Sequence, residues 1–417
     1  MSTKPQPVRT AAAYDVEAVR SHLPSLDSGI AHFDGPGGTQ TPVQVGRAIA
    51  ETLTAPLSNR GTASVPERNA DSAVTGFRTA MADFLGADPH GIVFGRSATQ
   101  LAYDFARHLS RSWEPGDEIV VTRLDHDANI RPWVQAAERA GVTVRWVGFK
   151  PNTGELSADS VAAVLSERTR LVAVTAASNL IGTRPPIAEI AQAVHRTGAL
   201  LYVDGVHYAP HASTDLAALG ADFFTCSPYK FLGPHCGVLA AAPGLLEDIM
   251  PDKLLPSTNA VPERFEFGTL PYELMAGVTA AVDFLATLGV RPDGSDQGTS
   301  RRERLLSAFM SLEAYEDELR GVLESGLGEI EGVTLHSRAA RRTPTLLLTF
   351  AGREARLASR FLLERNILAP SGSFYALEAS RWLGLGDGGG LRVGLAPYST
   401  RDEVDRLLTG LADFSRV

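Results

Sequence analysis

The chain is poor in cysteine, in long apolar runs and in clustered positive charge. Two cysteines among 417 residues, Cys226 and Cys236, make neither a disulfide framework nor a zinc-site spacing. No stretch approaches the ~18 uninterrupted apolar residues of a membrane span, and the N-terminal region lacks the apolar segment of a secretory signal. A net charge of −9 without a basic block argues against a nucleic-acid or membrane-surface partner. These absences predict a soluble, cytoplasmic protein.

Short apolar runs alternate with amphipathic helical segments from about residue 70 to residue 245. The runs predict strands at 91–95, 118–124, 143–147, 170–175, 200–203 and 222–227. Helices are predicted at 80–85, from near residue 98, and at 131–140, 158–167 and 187–197. Strands that alternate with helices in this way predict an α/β fold with a mainly parallel sheet covered on both faces.

The pattern changes after residues 290–302, a polar, glycine-bearing stretch that predicts a loop before a long helix. Beyond it come a predicted strand at 343–350, a helix at 353–365, a strand at 391–396 and a final helix opened by a capping box from Thr400 to Glu403. We therefore predict a large domain over residues 30–285 and a smaller α+β domain over 286–417. Residues 1–29 are expected to pack with the small domain.

An aspartate and a lysine follow two consecutive predicted strands. Asp204 ends the first apolar run, and Lys230 lies 26 positions later, after the second. Neighbouring parallel strands would bring both side chains to one sheet edge, where such folds bind ligands. Pyridoxal 5′-phosphate (PLP) needs this pair, because the lysine forms a Schiff base and the carboxylate keeps the pyridine nitrogen protonated. Either residue alone would be interpreted as solvated surface.

Polar residues follow other predicted strands as well. The helix start at Ser97–Thr99 can bind a phosphate, although a plain N-cap explains these residues equally well. His126 can stack on a pyridine ring and Asn179 can donate to a phenolic oxygen, or each can be ordinary loop surface. His207 and His211 have the spacing of a helical metal pair. No metal site is predicted there, because a proline lies between them and no glutamate follows.

Taken in order, these motifs resemble the fold-type I PLP enzymes of the class V aminotransferase group, in particular the cysteine desulfurase-like proteins. The resemblance covers nearly the whole chain. The motifs that carry it are His32–Gln40, Asn59–Gly61, Ser97–Thr99, Asp125–Asn129, Ser178–Thr183, Val203–Gly205, Ser227–Lys230, Phe267–Thr269 and Arg392. It implies a large domain with a mainly parallel, seven-stranded type of sheet and a smaller α+β C-terminal domain.

The resemblance also implies roles for individual residues. Lys230, Asp204 and His126 would be the catalytic residues, with His126 stacked on the cofactor ring. The residues implied to bind the cofactor are Ala98, Thr99, His126, Asn179, Asp204, His207, Ser227, Tyr229, Lys230, Gly268 and Thr269. Those implied to bind an amino-acid substrate are Arg392, Asn179, Gly38 and Tyr375. Gly268 and Thr269 would reach the cofactor phosphate from a second subunit, so a homodimer is expected.

Residues 370–378 depart from the desulfurase pattern. Members that desulfurate cysteine carry a nucleophilic cysteine in this loop, whereas this chain has Ser373, Phe374 and Tyr375 there. The segment resembles a subgroup related to carbon–sulfur lyases and isopenicillin-epimerase-like enzymes. We therefore expect a carbon–sulfur lyase that acts on an α-amino acid by β-elimination from an external aldimine. Transamination, other quinonoid chemistry such as epimerisation, and a non-catalytic PLP-fold binding protein are the alternatives.

Overall fold

A computed structural model describes residues 14–289 and 298–416. The strands are β1 Ala31–His32, β2 Ile92–Gly95, β3 Glu118–Thr122, β4 Thr143–Val147, β5 Thr169–Thr175, β6 Leu200–Asp204, β7 Phe223–Cys226, β8 Gly237–Ala241, β9 Val333–Leu335, β10 Thr345–Phe350, β11 Ile367–Leu368, β12 Ser371–Gly372 and β13 Gly390–Gly394. The α-helices are α1 Val16–Arg20, α2 Val43–Thr54, α3 Val65–Leu85, α4 Ala98–Leu109, α5 Arg131–Ala140, α6 Ala158–Ala162, α7 Ile187–His195, α8 Leu216–Leu219, α9 Pro243–Glu247, α10 Tyr272–Thr287, α11 Arg301–Gly328, α12 Ala355–Leu363, α13 Leu377–Trp382 and α14 Arg401–Arg416. Within this described part of the chain, no helix is long and apolar enough to cross a bilayer.

A seven-stranded sheet forms the centre of the molecule, in the order β2-β8-β7-β6-β5-β3-β4. All neighbours pair in parallel except β8, which is antiparallel to both β2 and β7. The predicted mainly parallel, seven-stranded sheet is therefore confirmed. Because successive side chains of a strand point to opposite faces, the buried residues of β3 divide between two cores. Val120 packs with α3, α7 and α10, whereas Ile119 and Val121 pack with α4 and α5.

Local sequence signals explain where the helices beside the site begin and end. The Ser97 hydroxyl accepts the Gln100 amide and caps the start of α4. The helix α3 ends at Gly86 and α5 ends at Gly141, both in the left-handed conformation that glycine adopts without strain. The N-cap fixes where α4 begins after β2, and the two glycines fix where the chain leaves α3 and α5.

A second, antiparallel sheet in the order β12-β13-β10-β9 forms the C-terminal part. Its leucine-rich face packs against α11, α12 and α14. The N-terminal segment contacts this part, since the Tyr14 hydroxyl donates to the Pro397 carbonyl and Arg20 pairs with Glu403 at 3.1 Å. The short strand β1 also pairs with β11 there. The boundaries 1–29, 30–285 and 286–417 remain predictions.

Several predicted element boundaries are wrong. The helix predicted at 158–167 ends at Ala162, because the Ser166 amide donates to the Thr169 hydroxyl instead of continuing the helix. The strand predicted from residue 343 begins at Thr345, since Pro344 has no amide hydrogen for the ladder. The strand predicted at 118–124 ends at Thr122, whose hydroxyl accepts the Leu124 amide.

Other differences concern the C-terminal half. The helix predicted at 353–365 spans Ala355–Leu363, and the strand predicted at 391–396 is Gly390–Gly394. Of the predicted loop 290–302, residues 290–297 lie outside the described residues, and α11 begins at Arg301. The capping box before α14 is confirmed by the reciprocal hydrogen bonds of Thr400 and Glu403.

Candidate active site

The carboxyl ends of the parallel strands and two segments of the C-terminal part enclose a cavity of about 690 Å³. This volume lies within the range of small-molecule sites in proteins. The structure brings most of the predicted site residues together here. Those that line the cavity are Ala98, Thr99, His126, Asn179, Asp204, His207, Ser227, Tyr229, Lys230, Tyr375 and Arg392.

Gly38, Gly268 and Thr269 do not line this cavity. Gly38 lies behind its wall, where an added Cβ would stand 3.1 Å from a ring carbon of Tyr229. Thr269 lines a separate cavity of about 300 Å³, beside His235. Their contact with the cofactor phosphate from a second subunit remains a prediction.

Lys230 and Asp204 lie at the ends of adjacent parallel strands, since Asp204 of β6 is in register with Thr225 of β7. Both residues are buried. Burial raises the pKa of Asp204, while the Val206 amide and Lys230 oppose that shift. Burial also lowers the pKa of Lys230 to about 8; Arg392 adds to the effect and Asp204 opposes it. The lysine can therefore supply a neutral amine close to neutral pH.

His126 is a neutral ring in the cavity wall. Its Nδ1 accepts the Ala128 amide at 3.0 Å, which leaves the ring proton on Nε2. Burial lowers the pKa of His126 to about 3, and the positive charges of Lys230 and Arg392 contribute. The ring stacks on Tyr375 at 5.5 Å between centroids. A neutral, flat ring in this place can cover one face of a planar ligand.

Arg392 of β13 is held from two sides. Its Nη1 donates to the Asn179 carbonyl at 2.9 Å, and its Cζ lies 3.7 Å from the centre of the Phe374 ring. The Asn179 side chain in turn donates to the Phe374 carbonyl at 2.8 Å. Burial lowers the pKa of Arg392 to about 9, so the guanidinium stays charged at neutral pH. It is suited to bind a carboxylate.

Phe374 is a site residue that the sequence analysis did not select. Phe374 and Tyr375 both have positive φ values, 52° and 58°, which are uncommon for residues with a large side chain. The Asp127 amide donates to the Tyr375 carbonyl at 2.7 Å and fixes this turn over the cavity. The only sequence signal was two adjacent aromatic residues after Ser371–Ser373, in the loop that lacks cysteine.

The start of α4 presents backbone amides to the cavity. Ser97 is engaged as the N-cap, and Ala98 and Thr99 begin the helix and line the cavity wall. The first amides of a helix have no intrahelical partner, and the helix dipole favours an anion there. Ser227, buried at the end of β7, lines the same cavity. The two interpretations of Ser97–Thr99, N-cap and anion site, are therefore compatible.

His207 and His211 do not form a metal pair. They lie on a turn after β6, and each is engaged elsewhere: His207 Nε2 lies 3.1 Å and 2.9 Å from the hydroxyls of Thr343 and Thr345, and His211 Nδ1 lies 2.9 Å from Glu316. Among residues 14–289 and 298–416, no group of three or more His, Cys, Asp or Glu side chains could hold a metal ion.

Four buried polar atoms of residues that line the cavity have no hydrogen-bond partner within the described part of the chain: Asn179 Oδ1, the Tyr202 hydroxyl, His207 Nδ1 and Arg392 Nε. A buried polar atom without a hydrogen-bond partner lowers the stability of the fold. Such atoms therefore indicate places where a bound ligand supplies the missing hydrogen bond. A carboxylate, a lysine and a helix start also meet in the same space. The residues fit PLP, because its ring nitrogen can pair with the carboxylate, its aldehyde can react with the lysine, and its phosphate can bind at the helix start.

Both cysteines lie outside the cavity, although Cys226 directly precedes Ser227, which lines it. Cys226 of β7 is in register with Val238 of β8, and both cysteines belong to the buried core. Burial raises the pKa of Cys236 to about 12 and that of Cys226 well above its usual value. Neither cysteine lines the cavity that the described residues enclose.

Comparison with known proteins identifies relatives along almost the whole chain. The family model described as Aminotransferase class-V matches residues 31–407. An uncharacterized protein from Mycobacterium tuberculosis is 33% identical over 402 residues, which cover 96% of this chain and 99% of that protein. A protein named probable cysteine desulfurase 2 from Mycobacterium leprae is 32% identical, with 95% of this chain and 96% of that protein covered.

Solved structures share the fold. A cysteine desulfurase from Escherichia coli superposes with a TM-score of 0.83 at 24% identity, over 97% of this chain and 99% of that one. The cysteine desulfurase from Thermococcus onnurineus gives a TM-score of 0.85 at 23% identity, over 98% and 100% of the two chains. The chain belongs to the class V aminotransferase family. It has the fold-type I architecture and is a PLP-dependent enzyme, as members of that family are.

Proposed function

We propose that this enzyme is a carbon–sulfur lyase that releases a sulfur leaving group from the β-carbon of an α-amino acid. One observation carries the proposal. The cavity combines Lys230, Asp204 and Arg392, while both cysteines of the chain are buried outside it. Desulfuration through a protein persulfide needs an exposed thiolate, and no cysteine lines this cavity. Elimination needs only a base and an electron sink.

Different residues would hold the phosphate, the ring nitrogen and the ring face of the cofactor. The amides of Ala98 and Thr99, with the Ser227 hydroxyl, would bind the phosphate. Asp204 would keep a proton on the ring nitrogen, and His126 would cover one face of the ring. Bound PLP supplies a sink for the electrons left at the α-carbon when a bond there breaks.

Lys230 and Arg392 would act on the substrate. The Arg392 guanidinium would bind the α-carboxylate, and the Phe374 ring on its face restricts the directions it can take. The Lys230 amine, whose pKa burial lowers to about 8, would in its neutral form take the α-proton as general base. For cysteine the balance is one water consumed and pyruvate, ammonia and sulfide produced. The sulfur leaves with the electrons of its bond to carbon, so no protein thiol has to accept it.

A product-resolved screen tests this proposal. Cysteine, cystine, cysteine conjugates and amino acids without sulfur would each be incubated with the holoenzyme. Equal amounts of pyruvate and a sulfur product support the lyase. Alanine together with a protein-bound persulfide would instead identify a desulfurase, and accumulation of pyridoxamine phosphate would identify a transaminase, which uses the same lysine.

The double variant Cys226→Ala/Cys236→Ala is expected to retain kcat within about twofold, because neither sulfur reaches the cavity. Each substitution removes a buried side chain from the core, so a lower melting temperature is expected without a matching loss of activity. The measurement is kcat per mole of bound PLP, with mass spectrometry of the wild type after incubation with cysteine. A persulfide on Cys236 and loss of turnover would contradict elimination.

We also propose that the enzyme is a homodimer in which Gly268 and Thr269 of each subunit reach the cofactor phosphate of the other. Both residues lie outside the cavity of their own chain. The stretch of chain just before them carries exposed apolar side chains, Leu254 and Leu255, of the kind found at protein interfaces. A solution mass equal to one chain, measured by light scattering on the holoenzyme, would exclude this arrangement.

Reloading of the apoenzyme with PLP is expected to accelerate with pH through a midpoint near 8. Lys230 attacks the cofactor aldehyde only as a neutral amine, and its lowered pKa of about 8 sets that midpoint. Below it the rate should fall about tenfold per pH unit, because the protonated amine has no lone pair to donate. The rise of visible absorbance after mixing measures the rate. Arg392→Gln should raise the midpoint, since Arg392 disfavours the protonated amine; a wild-type midpoint near 10 would contradict the assignment.

A further inference from the structure

A buried histidine–glutamate pair lies behind the cavity and has no part in the chemistry proposed above. His211, on the turn after β6, and Glu316, on α11, have side chains only 5% and 2% exposed. His211 Nδ1 lies 2.9 Å from Glu316 Oε2. The pair therefore connects the segment that carries the cavity floor to the long helix of the C-terminal part.

The pair extends to the cavity through His207. The rings of His207 and His211 meet edge to face, with centroids 5.2 Å apart and an interplanar angle of 71°. On its other side, His207 Nε2 is held by the hydroxyls of Thr343 and Thr345. His207 lines the cavity, and its Nδ1 is one of the buried atoms without a partner among the described residues. Its ring is thus fixed on two sides and has one free nitrogen.

The burial of Glu316 is costly and calls for an explanation. One oxygen, Oε1, is buried and has no hydrogen-bond partner within the part of the chain that the structure describes. Burial raises the pKa of Glu316, and His211 opposes that shift. Burying a carboxyl and an imidazole costs the hydration of both groups, and apolar residues of the same volume often give at least as much stability. Stability alone therefore does not account for the His211–Glu316 pair. Orientation of the neighbouring His207 ring does account for it.

We propose that His211 and Glu316 are positioning residues that fix the orientation of the His207 ring, and through it the electronic state of the bound PLP. The proposal rests on the cofactor contact that the resemblance implies for His207, which lines the cavity and has an Nδ1 without a partner among the described residues. A carboxylate fixes the direction of the histidine ring that it bonds. Here Glu316 fixes His211, whose ring packs edge to face against His207. The titratable groups that act on His207 are His211, Lys230 and Arg392.

The test uses the visible absorbance of the PLP holoenzyme without substrate, titrated against pH. Glu316→Gln keeps the shape of the side chain but removes its charge. It is expected to move the titration midpoint by about half a pH unit or more, the equivalent of one lost hydrogen bond. The same substitution in a His207→Asn background should move it no further, because the residue through which it acts is gone.

A matched control separates positioning from stability. Glu403 is buried to a similar degree and pairs with Arg20 at 3.1 Å, away from the cavity. Glu403→Gln is expected to lower the melting temperature but to leave the absorbance midpoint unchanged. If Glu316→Gln does not fold, His211→Asn serves as the second variant, with the same expected shift.

Three outcomes would overturn the proposal: no shift in Glu316→Gln or His211→Asn, an equal shift in the presence and absence of His207, or a midpoint that His207→Asn itself does not change. The last outcome would also remove the assigned contact of His207 with the cofactor. None of these measurements uses a substrate. An enzyme that fails as a carbon–sulfur lyase but shows the His207-dependent shift would refute the proposed reaction and still support the positioning role.

Discussion

Replacement of Lys230 by alanine is expected to lower turnover by on the order of 10³-fold or more, since one side chain both attaches the cofactor and moves the α-proton. The variant should still bind PLP weakly, because the amides at the start of α4 and the Asp204 carboxylate are unchanged. Its visible spectrum should resemble that of free aldehyde. The measurement is kcat per mole of bound cofactor, with the substrate that the product screen identifies.

The attachment site can be tested without a substrate. Borohydride reduction of the holoenzyme followed by peptide mass analysis is expected to place the cofactor on Lys230. Among the described residues the other lysines are Lys150 and Lys253, and neither lines the cavity. Lys150 is exposed, and Lys150→Ala is the matched control that should keep full activity. Full activity in Lys230→Ala, or label on another lysine, would refute the assignment.

The sequence predicts the site residues that directly follow predicted strands. Parallel strands end at a common edge, so the position of Asp204 and Lys230 after consecutive strands is enough to place them together. The same rule places His126 and Asn179 there. The strand β8 was missed, because the glycine and alanines of Gly237–Ala241 give a weak strand signal and an antiparallel partner interrupts the repeating pattern.

Contacts between distant segments could not be predicted in this way. The partners of His207 are 136 and 138 residues away in the chain, Glu316 lies 105 residues from His211, and Phe374 lies 195 residues from Asn179. Hydrophobic periodicity shows which face of an element is buried, but it does not show which polar groups meet across two sheets. A threonine in a buried strand has the same pattern whether or not its hydroxyl bonds a histidine ring.

Asp204→Asn is expected to cost on the order of 10²–10³-fold in kcat, a loss typical of removing one preorganised electrostatic group. A neutral amide cannot hold a proton on the pyridine nitrogen, so electrons left at the α-carbon lose their sink. The fold should tolerate the change, because the Val206 amide, which donates to Asp204 Oδ1 at 2.8 Å, can donate equally to the amide oxygen. Activity and cofactor content should therefore separate: kcat falls while PLP stays bound.

Asp125 provides the matched control for that experiment. It is also a buried carboxyl at the end of a strand of the same sheet, but it does not line the cavity. Burial raises the pKa of Asp125 to about 8, so it is already largely neutral at pH 7, and Asp125→Asn changes little charge there. We expect Asp125→Asn to keep kcat within about tenfold, while Asp204→Asn loses far more. Equal losses in the two variants would mean that burying an amide at this sheet edge, and not the charge on Asp204, limits the reaction.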